Sequence, residues 1–128
     1  MNSVPEIFDR HLLQSRRARM SKSAHGADFL HEAVAADMAE RLNLIKRAFP
    51  LALDLGSHTG CVTEMLEGKD SVGKVIRTDA CLQMLNREHA PARHFSVCSD
   101  EELLPFAANS LDLICSALSL QFVNDLPG

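Results

Sequence analysis

No stretch of this chain approaches the roughly 20 consecutive apolar residues that a membrane-spanning helix needs. Its most apolar run, Leu111 to Leu120, is too short and carries Asp112, Ser116 and Ser119. An excess of cations is also missing. Thirteen lysines and arginines stand against 17 acids, for a net charge of −4, so broad electrostatic attraction to nucleic acid is not expected. The four cysteines, Cys61, Cys81, Cys98 and Cys115, form no C-x-x-C pair. Neither they nor the six histidines fall at metal-ligand spacing, so no metal site is expected. Lying in or beside apolar runs, the cysteines read as free, buried thiols of a reducing compartment. There is no secretory signal, internal repeat or low-complexity segment.

What is present is a globular composition, 46% hydrophobic over 128 residues, enough for one domain with a real core but not two. The chain is organised around Leu51-Ala52-Leu53-Asp54-Leu55-Gly56-Ser57-His58-Thr59-Gly60. A short apolar run ends in an acid and a glycine-bracketed turn. Val62, Met65 and Leu66 then follow at helical spacing. A buried strand, a tight loop and a helix start present backbone N–H groups and a helix N-terminus to a ligand.

Upstream, Ser3-Val4-Pro5-Glu6 forms a capping box with a proline in the first turn, which predicts a helix through about Met20. Arg16, Arg17, Arg19 and Lys22 lie in or beyond its second half. Cations near a helix C-terminus are ordinarily solvated; the functional alternative is that one reaches an anionic ligand group. Asp28 caps a second helix over about Phe29 to Ala48. Its stripe of Phe29, Leu30, Ala33, Val34, Met38, Leu42, Ile45 and Phe49 is expected to be core or docking surface. Pro50 ends it. Downstream, the pattern predicts a helix over Cys61–Glu67, a strand over Lys74–Asp79 and a helix over Ala80–Glu88. A strand over His94–Asp100, one helical turn over Glu101–Leu104 and a strand over Leu111–Ser119 complete it. Alternating strands and helices imply a parallel sheet with right-handed crossovers.

Three of these strands end in an acid or in an acid plus glycine, at what becomes one edge of the sheet, where open α/β sheets bind ligands. Asp79 lies 19 residues after Gly60, a separation at which a carboxylate accepts hydrogen bonds from ribose hydroxyls. Asp100 is placed to accept from an exocyclic amine or from backbone. Each acid alone could simply cap a helix; with the glycine turn they point to an adenosine-containing ligand. Ser57 and His58, as sequence neighbours, are not how a catalytic pair is built, and a lone loop histidine is ordinarily just exposed.

Asp54-Leu55-Gly56-x-x-x-Gly60, Asp79, Leu104-Pro105-Phe106 and Ser110-Leu111-Asp112-Leu113-Ile114 resemble the class I S-adenosylmethionine-dependent methyltransferases. Four stretches are similar to one subgroup: Ile7-Phe8-Asp9-Arg10, Phe49-Pro50-Leu51-Ala52-Leu53-Asp54-Leu55-Gly56, Asp100-Glu101-Glu102-Leu103-Leu104-Pro105-Phe106, and Ser116 through Pro127. That subgroup includes the mitochondrial complex I assembly methyltransferase-like proteins, their bacterial relatives, and the malonyl-carrier-protein methyltransferase of biotin synthesis. The resemblance covers nearly the whole chain, so the arginine-rich N-terminus matches the family rather than a transit peptide.

The resemblance implies a Rossmann-like α/β fold, with parallel strands in the order 3-2-1-4 preceded by two helices. Residues 1–49 would be a helical lid or docking segment, and 50–128 a partial cofactor-binding domain lacking the family's later strands. It implies S-adenosyl-L-methionine as cofactor. Asp54 would brace the loop, and the backbone at Gly56, Ser57 and Gly60 would face the methionine part. Asp79 would hold the ribose, Ala80 the adenine face, and Asp100 and Glu101 the adenine amine. Ser116 would line the pocket floor, and Arg17 or Arg19 would reach the cofactor carboxylate. The acceptor, a protein or a small molecule, and the catalytic residue stay open.

Two departures from the family set further expectations. His58 replaces the middle glycine of G-x-G-x-G, where a Cβ and imidazole must clash with a ligand or tilt outward. The fourth strand becomes an open apolar edge, which implies self-association or a partner. The competing readings are a non-catalytic or hydroxylase-type assembly factor with a weakened cofactor site, and a nicotinamide-dependent half-domain, whose G-x-G-x-x-G spacing is absent. The resemblance places the chain in the cytoplasm if bacterial and in the mitochondrial matrix if eukaryotic.

Overall fold

The computed structural model describes residues 5–20, 22, 28–86 and 94–124. Four parallel strands form one sheet: β1 (Phe49–Leu55), β2 (Val72–Asp79), β3 (His94–Cys98) and β4 (Leu113–Cys115), in the order β3-β2-β1-β4. The expected order is borne out. β1 and β2 are central, and the ends of both are buried on both faces, as crossover helices require of a parallel sheet. The helices are α1 (Arg10–Met20), α2 (Phe29–Asn43), α3 (Cys61–Glu67) and α4 (Leu82–Leu85), with a 3-10 turn at Leu120–Phe122. The main core joins Ala35 and Leu42 of α2, Val62 and Leu66 of α3, and Phe49, Ala52, Val72, Val75 and Cys115 of the sheet.

Several element ends differ from expectation, each for a local reason. α1 starts at Arg10, not in the Ser3–Glu6 box, part of which lies outside the described residues. Asp9 caps it, its Oδ1 accepting from Leu12 N at 3.0 Å. α2 stops at Asn43, and its first turn faces solvent, with Phe29 71% exposed; the helix docks through Ala35 and Leu42, not through the whole stripe. β2 begins two residues early, because Gly73 lets the strand pass Pro50: a Cβ there would lie 2.5 Å from Pro50 O. α4 is one turn, because Ala80 and Cys81 stay outside it and Cys81 N donates to Asp79 Oδ1 at 2.8 Å. β3 stops at Cys98, and β4 keeps only three residues before a bend in which Leu118 takes φ 55°. The thiols are free, but Cys98 is exposed and Cys61 half-buried; only Cys81 and Cys115 are buried as expected.

In parallel register, Phe95, Ile76, Leu53 and Ile114 share one face in a row across all four strands. Phe95 and Ile114, on the two outer strands, are more than half exposed.

Candidate functional site

The C-terminal ends of β1 and β2 converge with the loops after them. Gly56 leaves β1 at φ +65°, where a Cβ would meet Ser119 Oγ at 2.1 Å and Glu101 Oε1 at 2.9 Å. Only glycine satisfies both the backbone and the space. Ser57 N donates to Thr78 O and Gly60 N to Ser57 O, which folds the loop back on itself. Gly60 takes φ 87° as the residue before α3. His58 also takes a left-handed backbone, φ 50°, the conformation that the glycine it replaces would adopt freely. Its half-buried ring is stacked on His31 of α2 with centroids 4.1 Å apart and planes 7° from parallel. Burial lowers the His31 pKa, and the nearby Arg17 charge pushes the same way, against Asp28. A neutral ring is the form that stacks without repulsion.

Asp54 is fully buried beneath the loop. Its Oδ2 accepts from Thr63 Oγ1 of α3 at 2.7 Å, and its Oδ1 has no hydrogen-bond partner among the described residues. Burial raises its pKa to about 6, against the Thr63 hydrogen bond and the Arg77 charge. The unfolded group titrates at 3.8, so the folded protein holds this proton more tightly. Its contribution to stability is complete below about pH 4 and is lost as pH rises through 6. Asp54→Asn keeps the acceptor for Thr63 without the charge. It is expected to gain on the parent by about 3 kcal/mol between pH 4 and pH 7, read from denaturant midpoints across that range; a constant difference sinks the assignment.

Asp79 is fully buried at the end of β2. Its Oδ2 accepts from His58 N at 2.9 Å, and its Oδ1 from Cys81 N at 2.8 Å and Arg17 Nη1 at 3.4 Å. Glu101 Oε1 accepts from Ser119 Oγ at 2.9 Å and Arg17 Nη1 at 3.5 Å, and Glu101 Oε2 from Arg10 Nη2. Asp100 Oδ1 accepts from Arg10 Nη2 at 3.0 Å and from Glu102 N at 2.9 Å. Ala80 is half-buried beside Asp79, and its carbonyl accepts from Cys98 Sγ. Ser116 Oγ donates to Leu55 O at 2.9 Å, fixing β4 to the end of β1.

Of the residues singled out in the sequence, Gly56, Asp79 and Glu101 are thus brought together around Arg17, with Asp100 joined through Arg10. Asp54 faces α3 under the loop, and Ser116 holds backbone. Arg19 is exposed, whereas Arg17 is buried among acids.

Three residues escaped the sequence reading. Arg77 of β2 is fully buried; its Nε donates to Ser57 Oγ at 2.7 Å and its Nη2 to His58 O at 2.9 Å and Met84 O at 3.2 Å. It ties the loop to α4 from below. Arg10 and Ser119 complete the acid cluster. A cation two residues before a strand-end acid, in a strand buried on both faces, is the signal that could have found Arg77.

A parallel α/β sheet with a glycine turn after β1 and acids at the end of β2 and beyond β3 forms the kind of crevice at which open α/β sheets take ligands. Residues 53–128 match the family model described as a methyltransferase domain, and the chain belongs to that family. It is 40% identical over 124 residues to the mitochondrial arginine-hydroxylase NDUFAF5 of Homo sapiens, across 94% of this chain and 36% of that protein. It is 36% identical over 131 residues to the malonyl-[acyl-carrier protein] O-methyltransferase of Gallionella capsiferriformans, across 94% of this chain and 45% of that one. The chain therefore spans less than half the length of these relatives. A chain of the solved complex between the Haloferax volcanii Trm112 methyltransferase activator and a methyltransferase matches with TM-score 0.57 at 21% identity, over 89% of this chain and 48% of that chain. This likeness shows the class I methyltransferase fold. Among the described residues no helix is long and apolar enough to cross a membrane, and no group of metal ligands forms.

Proposed function

We propose that this chain is the cofactor-binding part of an S-adenosyl-L-methionine-dependent methyltransferase. The observation that carries the reading is the meeting of a side-chain-free turn at Gly56 with the carboxylates of Asp79 and Glu101. The donor set fits: hydroxyls and an exocyclic amine donate, and carboxylates accept. Asp79 would hold the ribose, Ala80 the adenine face, and Asp100 and Glu101 the adenine amine. The backbone at Gly56, Ser57 and Gly60 would face the methionine part, above a floor set by Ser116 and Leu55. When bound, the cofactor supplies a methyl group activated by its sulfonium. Of the N-terminal helical segment, α1 acts as lid and α2 docks on the binding domain that the sheet forms from Phe49 onward.

A second reading is favoured by two observations. His58 holds a strained backbone in the loop, and two arginines already occupy the acids. A non-catalytic or hydroxylase-type assembly factor, acting on a protein in respiratory complex I assembly as the resemblance implies, would keep such a site. It would work in the mitochondrial matrix, or in the cytoplasm of a bacterium.

Calorimetry with S-adenosylmethionine, S-adenosylhomocysteine and NAD separates these. The expected result is binding of the two adenosyl ligands and not NAD. Binding of NAD alone overturns the first reading, and binding of none favours the second. Sedimentation velocity at tens of micromolar on the same samples reads the open fourth-strand edge, where Ile114 is more than half exposed. Self-association is expected, and a sharp monomer peak counts against it.

A further inference from the structure

Two guanidinium groups of α1 stand on the carboxylates at the sheet's C-terminal edge. Arg17 is only 6% exposed, and its Nη1 reaches Asp79 Oδ1 and Glu101 Oε1 at 3.4 and 3.5 Å. Arg10 is held harder. Its Nη2 donates to Asp100 and Glu101, and its Nη1 to Phe122 O at 3.0 Å. Just upstream, Ile7 N and Phe8 N both donate to Asn124 Oδ1 at 2.7 Å. Asn124 Nδ2 donates back to Phe8 O at 3.1 Å, and the Phe8 ring meets Phe122 edge-on. The segment is thus pinned at one end and reaches the acids at the other by long contacts.

We propose that α1 is a self-occupying lid. The Arg17 guanidinium holds the two carboxylates that the adenosine part of the cofactor takes, and cofactor entry requires Arg17 to leave them. The inference rests on the adenosyl-cofactor reading and adds how that site is kept and opened.

Two buried carboxylates so close together need a cation or donors when no ligand is present. Asp79 Oδ2 already accepts from His58 N and its Oδ1 from Cys81 N, so Arg17 fills the remaining approach to Oδ1. A ribose hydroxyl cannot take that approach while the guanidinium is there. The Arg17 contacts are longer than the 2.7–2.9 Å of a strong charge-assisted bond. Arg17 therefore exchanges while Arg10, Asn124 and Phe8 stay as the hinge anchor. A site open for only a fraction of the time binds its ligand more weakly by that fraction.

The test is calorimetric titration of the full 128-residue chain, and of its Arg17→Met and Arg17→Lys variants, with S-adenosylhomocysteine. It is paired with amide hydrogen exchange of the parent with and without that ligand. Arg17→Met is expected to bind about tenfold tighter than the parent, with Arg17→Lys between. In the parent, ligand is expected to speed exchange in the second half of α1. Weaker or unchanged binding by Arg17→Met, with the parent binding, overturns the lid and leaves the cofactor reading standing. No binding by parent or variant overturns both. If Arg17→Met does not fold, parent exchange decides: faster exchange at α1 upholds the lid, and slower or unchanged exchange overturns it.

Discussion

Arg77→Met is expected to lower stability by about 3–5 kcal/mol, the range for removing one member of a buried charged network. The guanidinium satisfies Ser57 Oγ, His58 O and Met84 O at once, and methionine leaves these acceptors without a donor in a site that excludes water. Its charge also favours the ionised form of buried Asp54. Against the roughly 5–15 kcal/mol that holds a domain together, this loss is a large share. The melting temperature should fall by about 10–20 °C. Arg77→Lys should recover little of it, since one ammonium cannot span Ser57 and Met84 with a planar fork. A melting temperature within 3 °C of the parent, by circular dichroism, would remove Arg77 from this role.

Gly56→Ala has the second largest expected effect, and its cost has two separable parts. The left-handed backbone at φ +65° costs a Cβ-bearing residue about 1–2 kcal/mol. The new methyl, 2.1 Å from Ser119 Oγ and 2.7 Å from Ser119 Cβ, forces the bend after β4 outward at a further ~1–3 kcal/mol. That movement breaks the Ser119–Glu101 hydrogen bond, so affinity for S-adenosylhomocysteine should fall more than tenfold. Gly56→Ala/Ser119→Gly removes the collision with Ser119 but neither the strain nor the 2.9 Å approach to Glu101 Oε1. Denaturant unfolding should therefore show partial recovery of stability and no recovery of the Glu101 contact. Full recovery would mean that the backbone conformation costs nothing.

The central part of this fold was legible because its signals are local. The apolar run before Asp54, the Gly56–Gly60 bracket and the helical spacing from Val62 each fix an element from neighbours a few residues away. The strand order followed from the alternation of elements and from the methyltransferase resemblance. Asp79 and Asp100 were expected near the crevice because strand ends collect at one edge, and Glu101 from the methyltransferase resemblance. What the sequence hid is what depends on distant partners. Arg10, Arg17 and Arg77 look solvated in a linear reading; Arg17 and Arg77 are buried and Arg10 half-buried because acids or carbonyls from other elements converge on them. β4 read as nine residues from its apolar content, but only Leu113–Cys115 pair with β1. The left-handed turn at Leu118 that ends the run leaves no mark in composition. His58 was legible as a departure from glycine; that its ring lies on His31 was not, since α2 ends well before the loop begins.

The hydrogen bonds from Ile7 and Phe8 to Asn124 span 117 and 116 positions of the chain. Contacts of such separation form late, after most loop-closure entropy has been spent. During synthesis, the N-terminal segment leaves the ribosome early but finds its fastening only once Asn124 has emerged. In the interval Asp79, Glu101 and the turn at Gly56 are assembled beneath an unfastened α1. The growing chain thus offers its crevice most openly before Asn124 is in place.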